Sequence, residues 1–396
     1  MVGRYPRLLV IHPNLNRGGG SELVALEMIR SVLSAIACDV TLLTFVEPQW
    51  DQISNFYGVK LEVNGIKTVV AGLPRRFRSD WENFELIRQA FLNRAARRIA
   101  DRFDLVISAS GEIDVGVPAI QYVHFPVFAS YYLRERNRMV GMNSIILRHQ
   151  SADVAYRAIL FRFGEITSQG IKKNRTLTNS NSTAEIINAV YGINSDVVYP
   201  LVLELHTPLE NSFKPWNIQV RQIAYVGRFA NDKNINDIVR VSEILIRSEL
   251  VNQVVLIGRF ASQKMQEEVE RSCREQAEAI RILSNASNKI VRGVLSESRY
   301  HLNVRPYEPF GISIAESIAL GCLPIVHDSG GQRELVPVPE LRYRSLEQIP
   351  SIVERAEKDS DVAQKYRITL TENLRRLLKN SLSRFPSIVE DELRKR

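Results

Sequence analysis

Short apolar runs alternate with longer amphipathic runs along most of this chain. Residues 7–12, 39–45, 103–110 and 119–125 are apolar runs of strand length, and residues 21–36 repeat apolar side chains every three to four positions, as a helix does. Strands rich in Val, Ile and Leu that alternate with helices are typical of a parallel sheet whose two faces are both covered. The first half of the chain is therefore predicted to form an α/β unit.

The same alternation restarts in the second half of the chain. Strands are predicted at residues 222–229, 253–258, 289–294 and 322–328, and a helix is predicted at residues 235–246. This second α/β unit has the same alternation of strands and helices, although its sequence does not repeat that of the first.

A proline-containing segment separates the two predicted domains. The 396 residues exceed the ~100–200 that are typical of one domain. Residues 199–216 hold three prolines and show no clear period, so we place a hinge there. We expect an N-terminal domain over residues 1–205, a C-terminal domain over residues 206–380, and a last amphipathic helix over residues 381–396 that is broken at Pro386.

Composition narrows the class of protein. The 52 basic and 44 acidic residues leave a net charge of +8, which suits nucleic acid, an anionic membrane face or a phosphorylated substrate. Three cysteines without paired spacing argue against a disulfide framework or a zinc site and fit a reducing compartment. No run reaches the ~18 apolar residues of a spanning helix, and the first apolar run is too short for a signal peptide. We expect a cytoplasmic protein with at most peripheral membrane contact.

Three consecutive glycines stand between the first predicted strand and the first predicted helix. Gly18, Gly19 and Gly20 allow close approach of a ligand to the backbone, and the helix start offers unpaired N–H groups to an oxyanion. The loop is no dinucleotide fingerprint, because Leu23 occupies the third glycine position, and no Walker lysine follows. Taken alone, this loop fits a phosphate site and a flexible turn equally well.

A second candidate loop follows the strand predicted at residues 222–229. Arg228 and Lys233 are five residues apart and flank this loop between a strand and a helix. Open α/β folds bind ligands at the carboxyl edge of the sheet, and a guanidinium with an ammonium there suits a diphosphate. The alternative is a pair of solvated charges.

Two glutamates flank a predicted loop-to-helix junction. Glu308 lies in the loop, and Glu316 lies about one turn inside a helix predicted to start near Ile312. The N–H groups of Phe310, Gly311 and Ile312 lie between the two carboxylates, which can each accept hydrogen bonds from vicinal hydroxyls. This layout suits a ligand with hydroxyls at both ends and phosphates in the middle, as in a nucleotide sugar.

The segment from Glu308 to Glu316 resembles the E-x7-E element of the family-4 retaining glycosyltransferases. These enzymes have the GT-B fold, in which two Rossmann-like domains face a central cleft. Four other segments resemble the same family in the same order: GGGSELVALEMIRSVL, TLTNSNSTAEIINAVYGINSDVVYPLV, YVGRFANDKN and HDSGGQREL. The resemblance therefore implies an α/β GT-B protein over most of the chain.

The resemblance implies a catalytic set at the sugar donor. Arg228 and Lys233 would hold the diphosphate, Glu316 the ribose hydroxyls and Glu308 the transferred sugar. His124 in QYVHFP occupies the family's N-domain histidine position and would face the sugar across the cleft. As a lone histidine at a strand end, it would more often be structural.

Other parts of the donor site follow from the same resemblance. Amides at residues 310–312 and the loop from Gly18 to Gly20 would cover the sugar and the phosphates, and the C-terminal helix would cross back to the N-terminal domain. No metal is expected. Asp359 and Asp361 form an Asp-x-Asp, but within a polar helical stretch, which indicates a solvated helix face.

The resemblance implies a retaining hexosyltransferase with a glycan or a lipid-linked glycan as acceptor. GGGSE, YVHFP and HDSGG look closest to α-1,2-mannosyltransferases that extend lipid-linked oligosaccharides, so the expected donor is GDP-mannose. A UDP-sugar donor and a non-transferase GT-B enzyme such as a nucleotide-sugar epimerase are the alternatives. The chain shows no nucleic-acid-binding motif, so nucleic acid is not an expected partner.

Basic residues concentrate in the N-terminal half. Residues 75–102 contain eight arginines against four acids, and residues 131–175 contain nine basic residues against three acids, with aromatics interleaved. Such helices suit an anionic membrane surface or a lipid-diphosphate acceptor. The protein would then act at the cytoplasmic face of a membrane. An ordinary arginine-rich helix face is the equal alternative.

Overall fold

The fold was analysed in a computed structural model. It describes residues 4–58, 65–79, 84–128, 150–208, 213–230, 235–274 and 278–396. The chain divides into unit 1, made of Met1–Pro200 and Asn380–Arg396, and unit 2, made of Leu201–Lys379. Lys233 and residues 131–149 of the predicted basic segment lie outside the described residues.

Unit 1 is built on a seven-stranded sheet in which each described pair of neighbours is parallel. Its strands are β1 Arg7–Ile11, β2 Asp39–Thr44, β3 Ile66–Val70, β4 Leu105–Ser108, β5 Ala119–Val123, β6 Arg175–Thr178 and β7 Asp196–Val197. Their order is β3-β2-β1-β4-β5-β6-β7. Central strands such as β4 and β5 are buried along their whole length, which explains their unbroken apolar sequence.

Helices cover this sheet. They are α1 Gly20–Ala35, α2 Trp50–Tyr57, α3 Arg75–Ser79, α4 Glu85–Arg97, α5 Gln150–Gly164, α6 Ser168–Lys172 and α7 Asn181–Tyr191. α1 confirms the helix predicted at residues 21–36, and nine of its sixteen residues are buried. α4 and α5 pack on each other, so the two arginine-rich helices also bury apolar side chains such as Leu86 and Leu160.

Unit 2 contains a six-stranded sheet with parallel neighbours in the order β10-β9-β8-β11-β12-β13. Its strands are β8 Val220–Val226, β9 Gln253–Gly258, β10 Ile280–Ser284, β11 Ser298–Asn303, β12 Leu323–His327 and β13 Arg342–Tyr343. Its helices are α8 Leu203–His206, α9 Ile235–Arg247, α10 Gln263–Ser272, α11 Asn288–Glu297, α12 Ile312–Ala319, α13 Gln332–Leu335, α14 Ile349–Lys358 and α15 Ser360–Leu378. Two parallel-sheet α/β units are thus confirmed.

The strand predicted at residues 289–294 is wrong. This segment lies inside α11, whose apolar residues Ile290, Val291, Val294 and Leu295 recur at helical spacing. The β-branched side chains favoured a strand by propensity, but the helical period prevails. The strands on either side of α11 carry polar residues such as His301, which hid them from a search for apolar runs.

The C-terminal segment returns to unit 1 as α16 Phe385–Arg394. α16 packs on α1, and Arg175 Nη1 lies 3.2 Å from Glu392 Oε1. The prediction that Pro386 breaks this helix is wrong, because Pro386 lies in its first turn. A first-turn N–H has no partner within the helix, so proline costs nothing there.

The strand order of each sheet reverses at one point. In unit 1 the reversal lies between β1 and β4, and in unit 2 it lies between β8 and β11. Ligands of open α/β sheets bind outside the carboxyl ends of the strands at such a reversal. The glycine loop follows β1, Arg228 follows β8, and Glu308 follows β11, so three predicted elements start at these positions.

Candidate active site

The loop after β8 holds Arg228 in a defined place. The loop after β8 is hydrogen-bonded to the adjacent loop after β9 through the backbone of Phe229. The Phe229 N–H donates to Arg259 O (2.9 Å), and the Ala261 N–H donates to Phe229 O (2.9 Å). The Phe229 and Phe260 rings stack with centroids 4.3 Å apart. Arg228, half-buried, therefore projects from a rigid turn at the carboxyl edge of the sheet. Its predicted companion Lys233 is outside the described residues.

Glu308 lies in the loop between β11 and α12, as predicted. Its side chain is 14% exposed, and its Oε2 lies 3.3 Å from Nη1 of Arg305. The Arg305 guanidinium lies beside this carboxyl group in a partly buried place and so offsets its negative charge. Carboxylate oxygens in this loop can accept hydrogen bonds from sugar hydroxyls.

Gly311 makes the turn from this loop into α12. Its φ is +99°, and a Cβ at this position would lie 2.5 Å from Cδ1 of Ile314. A side chain would be strained and would also clash, so glycine is required here. Phe310 is buried beside it, and α12 starts at Ile312 as predicted.

Glu316 is a buried carboxyl inside α12. Its residue is 9% exposed, and burial raises its pKa to about 7, with Arg292 of α11 opposing the rise. The group therefore exchanges its proton near neutral pH. A ligand whose hydroxyls donate to the carboxylate would favour the ionised form and lower this pKa.

In unit 1 the glycine loop is held from two sides. Oε2 of Glu22 accepts the Gly19 N–H (3.0 Å), and the Tyr57 hydroxyl donates to Gly19 O (2.7 Å). Gly18 has a φ of +71°, and a Cβ there would touch the Phe56 ring at 3.0 Å. The loop is therefore a hydrogen-bonded turn at the start of α1.

A buried polar cluster lies behind the glycine loop, at the carboxyl ends of β1 and β5. Burial lowers the pKa of His12 to about 4, against the opposing charge of Glu22. Burial also lowers the pKa of His124, whose Nε2 lies 3.1 Å from Ala109 O. Nε2 must carry the hydrogen toward this carbonyl, so neutral His124 leaves Nδ1 as an acceptor.

Glu22 is the anion of this cluster. Burial alone would raise its pKa, but His12, Arg17 and its hydrogen bonds outweigh burial, so the pKa is lowered. Two neutral histidines and one carboxylate therefore adjoin the loop that was predicted to cover phosphates. His12 and Glu22 both stand within HPNLNRGGGSE, where the prediction of a site relied on the three glycines alone.

Within unit 2, the structure brings Glu308 and Glu316 to one loop–helix junction, while Arg228 follows the neighbouring strand β8. Unit 1 contains the glycine loop and His124. Asp359 instead caps α15, where its Oδ1 accepts the N–H groups of Asp361 (2.9 Å) and Val362 (3.2 Å). This Asp-x-Asp is a helix cap.

In the described part of the chain, no group of three or more His, Cys, Asp or Glu side chains is placed to hold a metal ion. None of the helices found there combines the length and the apolar character that a membrane crossing requires.

Comparison with known proteins places a family match on unit 2. Residues 210–338 match the family model described as glycosyl transferases group 1. This range includes Arg228, Glu308 and Glu316 together with the loops that hold them.

Curated relatives resemble a larger part of the chain. The Candida albicans protein named GDP-Man:Man(3)GlcNAc(2)-PP-Dol alpha-1,2-mannosyltransferase is 24% identical over 370 residues, covering 81% of this chain and 60% of that protein. The Kluyveromyces lactis protein of the same name is 20% identical and covers 83% and 62%, and the Homo sapiens one is 25% identical and covers 55% and 48%. The chain thus spans about three fifths of the length of the two fungal relatives.

Solved structures match the fold over nearly the whole chain. Sucrose-phosphate synthase from Thermosynechococcus elongatus superimposes with a TM-score of 0.70 at 15% identity, covering 99% of both chains. The Anabaena protein Alr3699/HepE, solved with UDP and glucose, gives a TM-score of 0.65 at 13% identity and covers 98% of this chain and 99% of that one. At these identities the likeness concerns the fold.

Proposed function

We propose that this chain, which has the GT-B fold and carries a group 1 glycosyltransferase domain, is a retaining hexosyltransferase that uses a nucleotide-sugar donor. The single observation that carries the proposal is the junction of Glu308, Gly311 and Glu316 inside the matched domain. One carboxylate lies before the helix, one lies within it, and a glycine turn stands between them. The preferred donor is GDP-mannose, because the curated relatives are named for that nucleotide sugar.

Each candidate residue has a part in this proposal. Glu316 accepts the ribose hydroxyls, Glu308 accepts hydroxyls of the transferred sugar, and Arg228, with Lys233, neutralises the diphosphate. In unit 1, the glycine-loop amides are suited to bind a phosphate, and neutral His124 is suited to bind a sugar hydroxyl. The rigid turn that carries Arg228 supports this assignment, because a preorganised cation stabilises developing charge without reorganising.

The chemistry retains the configuration at the anomeric carbon. The acceptor hydroxyl attacks that carbon on the same face from which the diphosphate leaves. A C–O bond to the acceptor forms while the C–O bond to the diphosphate breaks, and the hydroxyl proton passes to the departing phosphate oxygen. Arg228 stabilises the negative charge that grows on this leaving group. No step in this scheme needs a metal ion.

The proposed acceptor is a lipid-linked glycan presented at the cytoplasmic face of a membrane. α5 supports membrane contact, because Val154 and Ile159 on it are 62% and 66% exposed, and Arg162 is exposed one turn further on. An apolar face beside a cation suits an anionic lipid surface. The names of the curated relatives, which mention a PP-Dol-linked glycan, also favour this acceptor.

A thermal-shift panel of nucleotide sugars tests the function. A ligand that binds only the folded state stabilises it by about 2.7 kcal/mol at a hundredfold excess over its dissociation constant. We expect GDP-mannose to raise the melting temperature more than UDP-glucose, UDP-N-acetylglucosamine or free mannose. If only a UDP-sugar stabilised the protein, the donor would be a UDP-sugar instead of GDP-mannose. Epimerised UDP-sugar formed without acceptor would favour an epimerase instead, and stabilisation by none would overturn the proposal.

A further inference from the structure

A second loop of unit 2 holds the loop that contains Glu308. This holding loop runs from His327, the last residue of β12, to Gln332 at the start of α13. It makes three hydrogen bonds to the backbone of residues 305–308: Tyr307 N–H to Ser329 Oγ (2.8 Å), Gly331 N–H to Glu308 O (2.9 Å) and Gln332 Nε2 to Arg305 O (3.0 Å). Backbone position on both sides of Glu308 is therefore set by the holding loop.

The two loops touch closely enough to require a glycine. Gly330 has a φ of +68°, and a Cβ there would lie 2.5 Å from Glu308 O. The holding loop thus packs directly on the peptide carbonyl of Glu308. Any shift of one loop must be transmitted to the other.

Tyr307, the residue before Glu308, needs such support. Its φ is +53°, in the left-handed region that an aromatic residue rarely occupies. A conformation of this kind persists when surrounding bonds determine it, and such residues concentrate at functional sites. Ser329 supplies one of these bonds, because its Oγ accepts the Tyr307 N–H at 2.8 Å.

His327 orients the serine hydroxyl. Its Nδ1 lies 2.7 Å from Ser329 Oγ. Since this oxygen already accepts the Tyr307 N–H, its own hydrogen can point at Nδ1, which a neutral imidazole offers as an acceptor. Burial lowers the pKa of His327, with Asp328 opposing, and this favours the neutral ring. The chain of contacts runs from His327 through Ser329 to Tyr307 and Glu308.

We propose that Ser329, oriented by His327, is a positioning residue that directs the Glu308 carboxylate toward the transferred sugar. This inference rests on the proposed function. Two contacts orient the carboxylate. The Ser329 hydroxyl holds the backbone N–H of Tyr307, the residue before Glu308. Nη1 of Arg305 lies 3.3 Å from Glu308 Oε2, and Gln332 holds the Arg305 carbonyl. Ser329 acts on the sugar end of the donor, so loss of its hydroxyl should leave recognition of the nucleoside diphosphate intact.

The experiment compares Ser329→Ala with the wild-type chain for two probes, GDP and GDP-mannose, by calorimetry and by turnover. UDP and UDP-glucose form a parallel pair. Removing one hydrogen bond in such a site changes the binding affinity by about tenfold at most. We expect up to about tenfold weaker binding of the nucleotide sugar, a similar loss in kcat/KM, and unchanged affinity for the nucleoside diphosphate. Ser351→Ala, which removes an exposed hydroxyl in the same unit, is the matched control.

His327 variants give a second, independent readout. Asn places a carbonyl oxygen close to the position of Nδ1, whereas Ala leaves the Ser329 hydroxyl undirected. We expect His327→Ala to reproduce the selective loss and His327→Asn to restore most of it. If Ser329→Ala does not fold, the two His327 variants still test the inference.

Four results would overturn the inference. Equal weakening for GDP and GDP-mannose would make Ser329 a structural residue, and no change for either would remove its role. Equal behaviour of His327→Asn and His327→Ala would break the link to Nδ1. If the wild-type chain bound no nucleotide sugar, the proposed function itself would fail, and this inference with it.

Discussion

Replacing Glu316 by glutamine should stabilise the protein at neutral pH while weakening its donor site. The folded state holds the pKa of Glu316 at about 7 instead of 4.5, because burial disfavours the charged form. A tenfold change in a proton equilibrium is about 1.4 kcal/mol, so keeping this carboxylate ionised above pH 7 costs about 3 kcal/mol of folding free energy. Glutamine has the same shape and carries no charge to desolvate.

The sign of the pH dependence follows from the two states. Below pH 4.5 both the folded and the unfolded chain carry the proton on Glu316, so Glu316→Gln changes stability little. Between pH 4.5 and 7 the unfolded chain releases the proton while the folded chain keeps it, and the wild-type free energy of unfolding falls. The advantage of the variant should therefore grow through this window and stay constant above it.

Urea unfolding of both proteins at half-unit steps from pH 4 to 8 measures this difference. Glu354→Gln is the control, because Glu354 is exposed in an ion pair with Lys358 and should show no such window. Donor binding should behave in the opposite way: the variant should bind GDP-mannose more weakly at pH 8, where the wild-type carboxylate is ionised. A constant stability difference across the whole pH range would refute the reasoning, because burial would then not govern this pKa.

Three further outcomes are expected. Arg228→Ala should lower turnover about 10²–10³-fold, which is the usual loss for one charge-stabilising group. Arg281 is exposed near the start of edge strand β10, so Arg281→Ala should leave turnover unchanged. Intact turnover in Arg228→Ala would remove Arg228 from the site. Glu22→Gln should cost about 1–3 kcal/mol above pH 4.5, because two hydrogen bonds to a charged acceptor weaken. The loss should vanish as pH falls through the lowered pKa of Glu22, and a pH-independent loss would contradict this. Val154→Ser with Ile159→Ser should weaken sedimentation with vesicles of anionic lipid and leave donor binding unchanged; unchanged sedimentation would rule out contact through α5.

The sequence by itself determined the alternation of strands and helices, because continuous apolar strands and amphipathic helices are local patterns. It predicted β9 at residues 253–258 as observed and α9 to within one residue. It also placed Glu308 before a helix and Glu316 inside it, since residue spacing alone sets that relation. It failed at residues 289–294, where β-branched side chains hid a helix, and at β10 and β11, where polar residues interrupt the apolar run.

Only the tertiary structure decided what surrounds the chemically important groups. The pKa of Glu316 depends on burial by residues distant in sequence, and the link from His327 through Ser329 to the N–H of Tyr307 joins positions about twenty residues apart. The hydrogen bond from the Tyr57 hydroxyl to Gly19 O joins residues that are still further apart in the sequence. Desolvation and long-range hydrogen bonds arise when strands become neighbours in a sheet, and no local pattern of residues encodes them.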